Sequence, residues 1–295
     1  MRRVLSGAAL LALLVSAGAW VFSAPDPLVR DYAKGHRADV GNGAIVFAAA
    51  GCASCHTAPD AVKTDKLVLA GGHAFASDFG TFYAPNISAG PQGIGTWTLS
   101  EFARAVTTGV SPSGQHYYPA FPYVAYQHMQ PTDVADLFAF MQALPVSDAM
   151  DKPHDVGFPF NIRRALGLWK GLFFKDGFTL AEALTPEVER GRYLVEGLAH
   201  CGECHTPRNF LGGLNRAGWL SGASNPSGKG KIPNITPGAL TWSTADLMYY
   251  FETGLTPDYD SVGGSMAAVI DNLAQLPEDD RAAIAAYLKA VPARP

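Results

Sequence analysis

The sequence predicts a mainly α-helical protein that contains two tandem copies of one domain with long loops. Short motifs recur at equal intervals in the two halves: Trp97 precedes Gly109 by 12 positions, and Trp242 precedes Gly254 by 12. Apolar residues recur at the spacing of a helix face in both halves, and no strong alternation of apolar and polar residues indicates strands. We conclude that one helical domain has been used twice.

The N-terminus carries a short basic stretch followed by an apolar run. Two arginines follow Met1, residues 4–22 are apolar or small, and Asp26 is the first acidic residue. About 20 apolar residues span a bilayer, but an A-x-A site at residues 17–19 also fits a signal peptide. We expect residues 1–24 to be a membrane anchor or a signal peptide, and we favour an anchor at 4–22. Either segment places the rest of the chain in the periplasm.

The composition fits a protein of two ordinary domains. The 295 residues are 48% hydrophobic, which is enough for two cores, and the net charge is −4. No basic patch suggests nucleic acid as a partner, so we exclude that class. The repeat places the first domain at residues 36–146 and the second at 186–295, with an inter-domain segment at 147–185.

Two C-x-x-C-H motifs contain every cysteine of the chain: CASCH at 52–56 and CGECH at 201–205. This is the attachment signature of c-type haem. Two thiols on one turn add to the vinyl groups of a haem, and the histidine that follows supplies the proximal iron ligand. The sequence therefore predicts two covalently bound haem c groups. The thioether residues are Cys52, Cys55, Cys201 and Cys204, and the proximal ligands are His56 and His205.

Other uses of paired cysteines fit less well. In all, 145 residues lie between Cys55 and Cys201, whereas the two pairs of a zinc site usually lie about 15–20 residues apart. A thioredoxin-like dithiol needs one motif in a βαβ context, not two motifs that are each followed by histidine. Structural disulfides give no reason for the two histidines.

Helix signals appear at matching places in the two copies. Thr98-x-x-Glu101 and Ser243-x-x-Asp246 form capping boxes, and a glycine follows each helix as a C-cap. Helices are also expected before each haem motif, near 43–50 and 186–194. The final helix of each copy carries an i, i+3, i+4, i+7 stripe: Val134, Leu137, Phe138 and Met141, then Ile284, Tyr287, Leu288 and Val291.

The inter-domain segment 147–185 is too apolar for a flexible linker. Its apolar residues include Phe158, Phe160, Leu166, Leu168, Trp169, Leu172, Phe173 and Phe174. It either packs as a bridge against both domains or exposes an apolar face that docks a partner subunit or the membrane. The sequence does not separate these two interpretations.

The distal position of the first iron has several candidates. Cysteine is excluded because none is left over, and methionine would raise the potential and block small ligands. Met129 lies in the loop before the final helix, where its side chain can reach the iron. Met141 lies on the apolar stripe, and Met150 lies beyond that helix. We therefore favour Met129, with His116 and His128 as rivals.

In the second domain Met266 follows two glycines in a loop, whereas Met248 lies inside a helix. We expect Met266 to be the second distal ligand. The two assignments do not obey a strict repeat. Counted back from an aspartate that both copies share, Met129 matches Leu276 rather than Met266. The two distal loops must differ in path, or one assignment is wrong.

Three further runs carry a family resemblance: PNIS at 85–88, GIGTWT at 93–98 and YPAFPY at 118–123. With them, nearly the whole chain past residue 36 resembles the cytochrome c subunits of bacterial membrane-bound alcohol, aldehyde and gluconate dehydrogenases. The resemblance implies class I-like cytochrome c domains with His/Met ligation, in the periplasm, that take electrons from a catalytic dehydrogenase subunit. Many members carry three haems, and many have methionine where this chain has Phe121.

We therefore expect a periplasmic di-haem cytochrome c, not an enzyme, that passes electrons from a dehydrogenase subunit to a quinone or terminal oxidase pathway. The haem supplies the redox chemistry, and the protein supplies ligation, burial and orientation. The alternatives are a di-haem peroxidase, which needs an open distal site, and a thiosulfate-oxidising enzyme. Two methionine candidates argue against the first, and the lack of a spare cysteine argues against the second.

Overall fold

The structure is a computed structural model that describes residues 2–62, 65–181, 185–225 and 230–295. Parts of each predicted segment lie outside the described residues, namely Met1, 63–64, 182–184 and 226–229. We refer to the predicted domains, residues 36–146 and 186–295, as the first and second repeat.

Helices dominate the described residues, as the sequence predicts. The helices are α1 (Arg2–Phe22), α2 (Val40–Ala49), α3 (Cys52–His56), α4 (Leu99–Thr108), α5 (Tyr123–Tyr126), α6 (Pro131–Gln142), α7 (Ala165–Phe173), α8 (Pro186–Arg192), α9 (Gly202–His205), α10 (Thr244–Thr253), α11 (Met266–Leu273) and α12 (Glu278–Ala290). A π-helical turn at Tyr193–Leu198 continues α8, and a 3-10 turn forms at Arg216–Gly218. Short antiparallel pairs join β1 (Ala74–Ser77) to β2 (Gly80–Tyr83) and β3 (Ala223–Ser224) to β4 (Lys231–Ile232).

The first helix, α1, corresponds to the apolar run predicted at the N-terminus. Over the described ranges, no helix meets the combined length and apolarity that a membrane crossing requires.

One helix crossing forms the centre of each repeat: α2 packs against α6, and α8 packs against α12. Both crossings are close enough to require glycine. A Cβ on Gly43 would lie 2.1 Å from the Asp136 carbonyl oxygen, and one on Gly191 would lie 1.9 Å from that of Ala283. The stripes predicted on α6 and α12 face these crossings and are buried, apart from the half-buried Phe138.

The capping signals predicted from the sequence are confirmed. The Thr98 side chain accepts from the Glu101 N–H while the Glu101 carboxylate accepts from the Thr98 N–H, and Ser243 and Asp246 do the same in the second repeat. Both helices end at a glycine in the left-handed region, with φ of 63° at Gly109 and 73° at Gly254. The two copies thus share local structure as well as spacing.

The helix before the haem motif differs between the repeats. Gly43 precedes Cys52 by nine positions, whereas Gly191 precedes Cys201 by ten. The second repeat accommodates its additional residue in the π-helical turn at Tyr193–Leu198. The glycine crossing and the haem motif therefore keep their relation although the spacing differs.

The inter-domain segment has features of both interpretations left open by the sequence. It contacts both repeats: the Lys170 ammonium donates to the carbonyl of Gly109 at 3.0 Å, and the Trp169 indole donates to the carbonyl of Leu211 at 2.8 Å. It also leaves apolar side chains in solvent, with Phe158 81% and Leu172 58% exposed.

Candidate haem sites

The first motif forms a single helical turn. Helix α3 places Cys52, Cys55 and His56 together and starts after Gly51, whose φ of 63° lies in the left-handed region. The Nδ1 atom of His56 lies 2.9 Å from the carbonyl oxygen of Pro85. That proline begins the PNIS run, so the run directs the histidine ring.

The second motif repeats this geometry. Cys201 leads into α9, which carries Cys204 and His205 on one turn. The Nδ1 atom of His205 lies 2.8 Å from the carbonyl oxygen of Pro233, which begins the matching PNIT run.

These contacts fix the tautomer that an iron ligand requires. A carbonyl accepts only from a protonated nitrogen, so Nδ1 carries the proton and Nε2 keeps its lone pair for a metal. Burial lowers the pKa of both His56 and His205, which favours the neutral ring. Both rings are thus held in the form that a proximal haem ligand needs.

The cysteines fit attachment to a porphyrin. All four are free thiols. Burial raises the pKa of Cys52 and of Cys201 to about 12, and it also raises the pKa of Cys55 and Cys204. Neutral thiols beside an oriented imidazole form a donor set that suits haem c. Haem c, when bound, supplies a one-electron iron couple.

The two motifs lie close to each other across the boundary between the repeats. After burial, the second cause of the raised pKa of Cys55 is its electrostatic interaction with Cys204. The Asn272 amide donates to the Ser54 hydroxyl at 2.8 Å, which connects α11 of the second repeat to the first motif. An ion pair of 3.0 Å between Lys66 and Asp271 lies on the same side.

Tyr126 connects the residues that lie just before the two motifs. It is buried on α5 of the first repeat, and its hydroxyl donates to the Ala50 carbonyl at 2.8 Å, two residues before Cys52. Its ring stacks on His200, the residue before Cys201, with centroids 5.5 Å apart and planes inclined by 20°. Sequence reasoning missed this contact because the two residues are far apart in the chain.

His200 occupies the place that Gly51 holds in the first repeat, directly before the first cysteine. Both residues have positive φ, 42° at His200 and 63° at Gly51. A side chain is uncommon in that region of backbone space. The sequence does show that a histidine stands where the other repeat has a glycine. The role of that histidine becomes visible only in the structure, where its ring stacks on Tyr126.

A second buried group was also missed. The Glu196 carboxylate, in the π-helical turn, accepts from the Tyr287 hydroxyl at 2.7 Å, and that hydroxyl accepts from the Trp219 indole at 2.9 Å. The Trp219 ring lies against the motif, because a Cβ on Gly202 would come within 2.1 Å of it. These hydrogen bonds hold the Trp219 ring in place against the second motif.

The predicted distal ligands differ in their surroundings. Met266 begins helix α11 and is half-buried, so it lies at a helix start rather than in the loop that the sequence suggested. Met129 is buried in the turn between α5 and α6, and its N–H donates to the Tyr126 carbonyl at 3.0 Å. Leu276 makes the same contact with the Leu273 carbonyl at 3.0 Å in the turn before α12.

The rival histidines of the first repeat have other partners. The His116 ring is buried, with Nε2 3.0 Å from the Ser23 carbonyl oxygen and Nδ1 3.1 Å from the Lys170 ammonium. His128 stacks on Phe178 with centroids 4.4 Å apart, and burial lowers its pKa to about 4.

Two thioether motifs with oriented histidines define a class: a c-type cytochrome with two haem sites. Comparison with known proteins agrees. A di-haem c-type cytochrome of Cereibacter sphaeroides is 52% identical over 295 residues, which is 99% of this chain and 99% of that protein. No family model matches the chain.

Two further relatives are subunits of dehydrogenases. The fructose dehydrogenase cytochrome subunit of Gluconobacter japonicus is 38% identical over 301 residues, and the gluconate 2-dehydrogenase cytochrome c subunit of Pantoea cypripedii is 35% identical over 270. The alignments cover 99% and 86% of this chain, but 60% of each relative. The chain belongs to the di-haem c-type cytochromes, which carry electrons on two covalently bound haem c groups.

Proposed function

We propose that this chain takes electrons from a catalytic dehydrogenase subunit and delivers them to a quinone or terminal oxidase pathway on the periplasmic side of the cytoplasmic membrane. The names of the dehydrogenase relatives support the donor. The observation that supports electron transfer within the chain is the packing of Tyr126 between Ala50 and His200, which precede the first and the second motif.

The axial ligands are part of the proposal. We assign His56 and His205 as proximal ligands because each has its Nδ1 directed at a carbonyl oxygen. We assign Met266 as the distal ligand of the second haem. Met129 stays a prediction from the sequence for the first haem, although its counterpart in the second repeat is the core residue Leu276.

The contact between the motifs supports transfer from one haem to the other. Tyr126 is buried, and its ring and hydroxyl together connect the residues that precede both first cysteines. A packed contact of this kind keeps the relative position of the two attachment turns constant. We expect the electron that enters at one haem to equilibrate with the other within the same chain.

The test is the rate of haem-to-haem equilibration after one haem is reduced by a light pulse. We expect Tyr126→Leu to slow it several-fold, because the stacked contact with His200 is lost. Tyr250→Leu is the matched control: it removes an aromatic ring that packs on Trp242, 5.2 Å away, inside the second repeat, and the rate should not change.

The donor is tested with the holoprotein. A dehydrogenase that copurifies with the chain should reduce both haems when its substrate is added. Rapid turnover of peroxide or oxidation of thiosulfate by the purified cytochrome alone, without such a donor, would favour the enzyme alternatives and contradict the proposal.

Attachment to the membrane through residues 4–22 is part of the proposal. Leu10, Leu14 and Phe22 of α1 are 60%, 62% and 81% exposed. These side chains suit a lipid environment better than water. Deletion of residues 4–22 behind a cleavable signal peptide should release the haem protein from the membrane fraction, whereas equal retention of both forms would contradict anchoring.

A further inference from the structure

We propose that Phe121 takes, at the first haem, the place that Met266 takes at the second, so that the first haem iron has His56 as its protein ligand and binds a neutral diatomic molecule. This inference rests on the proposed ligation by Met266. It does not depend on the electron donor.

The loops that lead to these two residues are equivalent in their hydrogen bonds. An antiparallel bridge pairs Val110 with His116, and another pairs Leu255 with Ser261, 145 positions later. The next residue of each loop, 117 or 262, donates its N–H to the carbonyl of Gly109 or Gly254, at 2.8 Å in both repeats. The loops are therefore in register at their ends.

The register continues to the residues of interest. A turn follows at residues 119–120 in the first repeat and at 264–265 in the second, again 145 positions apart. Phe121 and Met266 come next, each 12 positions after its C-cap glycine. The backbone thus places a phenylalanine where the second repeat has a methionine.

The register changes only after this point. Phe121 precedes Asp133 by 12 positions, whereas Met266 precedes Asp280 by 14, so the second repeat has two more residues between them. These residues lie in the stretch where α11 is longer than α5. Met129 consequently corresponds to Leu276, and both fill a buried position before the last helix.

The surroundings of Phe121 are aromatic. Its half-buried ring lies 5.8 Å from Tyr126, 6.0 Å from Tyr117 and 6.4 Å from Tyr123, between centroids, in edge-to-face arrangements. A ring of carbon offers no lone pair to iron. An apolar distal side favours uncharged ligands such as carbon monoxide or nitric oxide over anions.

The experiment is a carbon monoxide titration of the fully reduced holoprotein, followed by absorbance, with haem content measured separately. We expect one carbon monoxide per two haems. Phe121→Met should abolish binding, since a thioether then closes the site. Met266→Phe should give two per two haems. Met129→Leu should leave the value at one, because it restores only the side chain found at the counterpart position.

Other results would overturn the inference. No binding by the natural protein, with binding gained in Met129→Leu, would make Met129 the ligand. If Phe121→Met still binds carbon monoxide, Phe121 does not lie on the distal side of the first haem. If Phe121→Met does not retain haem, carbon monoxide binding by the natural protein and by Met129→Leu still distinguishes an open first haem from ligation by Met129. If Met266→Phe still binds only one carbon monoxide per two haems, Met266 is not the distal ligand of the second haem. That result would contradict the ligation given under the proposed function, independently of Phe121.

Discussion

The loops at residues 109–116 and 254–261 of the two repeats have matching backbone hydrogen bonds but different surroundings. In the first, His116 is buried beneath Ser23 and Lys170. In the second, Ser261 is exposed and Tyr259 is 80% exposed. The cover of the first loop comes from Ser23, the residue after α1, and from the segment that follows the first repeat. One loop fold is therefore covered in the first repeat and open to solvent in the second.

The largest effect that should apply equally to both repeats is at the helix crossings. Gly43→Ala and Gly191→Ala would each place a methyl within 2.1 Å of a carbonyl oxygen. Overpacking of this kind costs up to about 3 kcal/mol. We expect a loss of that size in the free energy of unfolding, measured by denaturant titration. Gly171→Ala, with nothing within 4 Å, is the control and should not destabilise. Equal stability of all three variants would contradict close crossing.

The next largest effect should differ between the repeats, because a side-chain contact at the helix crossing is an ion pair in only one of them. Arg190 donates two hydrogen bonds to Asp280, at 2.7 and 2.8 Å, whereas the matched Asn42 donates to Asp133 at 2.9 Å and to Asp136 at 2.7 Å. Loss of a hydrogen bond to a charged group costs about 1.5–3 kcal/mol.

Arg190→Asn gives the second repeat the residue of the first, and we expect it to cost about 2 kcal/mol in thermal unfolding. Lys34→Ala removes a surface pair 3.9 Å from Asp31, with both side chains more than 70% exposed, and should cost less than about 0.5 kcal/mol. Equal effects would mean that the Arg190 pair contributes no more than a surface contact.

A pH effect should be specific to the covered loop. Burial lowers the pKa of Lys170 to about 8, from an ordinary value of 10.5. Between these pH values the unfolded chain keeps the proton that the folded chain has released. Stability should therefore rise with pH in that window, by at most about 1.4 kcal/mol per pH unit.

Melting temperatures measured from pH 7 to 10 check this. Lys170→Met should flatten the rise, and Lys175→Met, exposed on the same segment, should retain it. The same slope in both variants would show that another group is responsible.

The smallest effect should again be equal in the two repeats. Thr98→Ala and Ser243→Ala each remove one capping box. An N-cap of this type contributes about 1 kcal/mol. Thr98→Ser should keep the stability, because a hydroxyl remains. A clear difference between the two alanine variants, measured by denaturant titration, would show that the copies do not share this cap in solution.

Features set by nearby residues could be predicted from the sequence. The capping boxes, the buried stripes and the turns of the haem motifs each depend on residues a few positions apart. The helical class, the two haem sites and the family followed from these features. The prediction of two proximal histidines needed no tertiary information, because it depends on the motif alone.

Features that depend on contacts between the repeats could not be predicted from the sequence. The stacking of Tyr126 on His200 and the start of a helix at Met266 depend on how the repeats pack. The disagreement over Met129 had a different cause: counts from the glycine and from the aspartate use two registers, and both are correct because two residues differ between them. Only the shared hydrogen bonds of the loops show which register applies at Phe121.

The π-helical turn at Tyr193–Leu198 lets two repeats of different spacing share one architecture. The two repeats differ by one residue between the crossing glycine and the first cysteine. In a regular α-helix, one additional residue would rotate all later residues by about 100° about the helix axis, and the second motif would then face another direction. The wide turn absorbs the change locally, and its Glu196 now joins Tyr287 and the backbone of Leu180. The additional residue is thus accommodated within one turn, and the carboxylate of that turn links the last helix to the inter-domain segment.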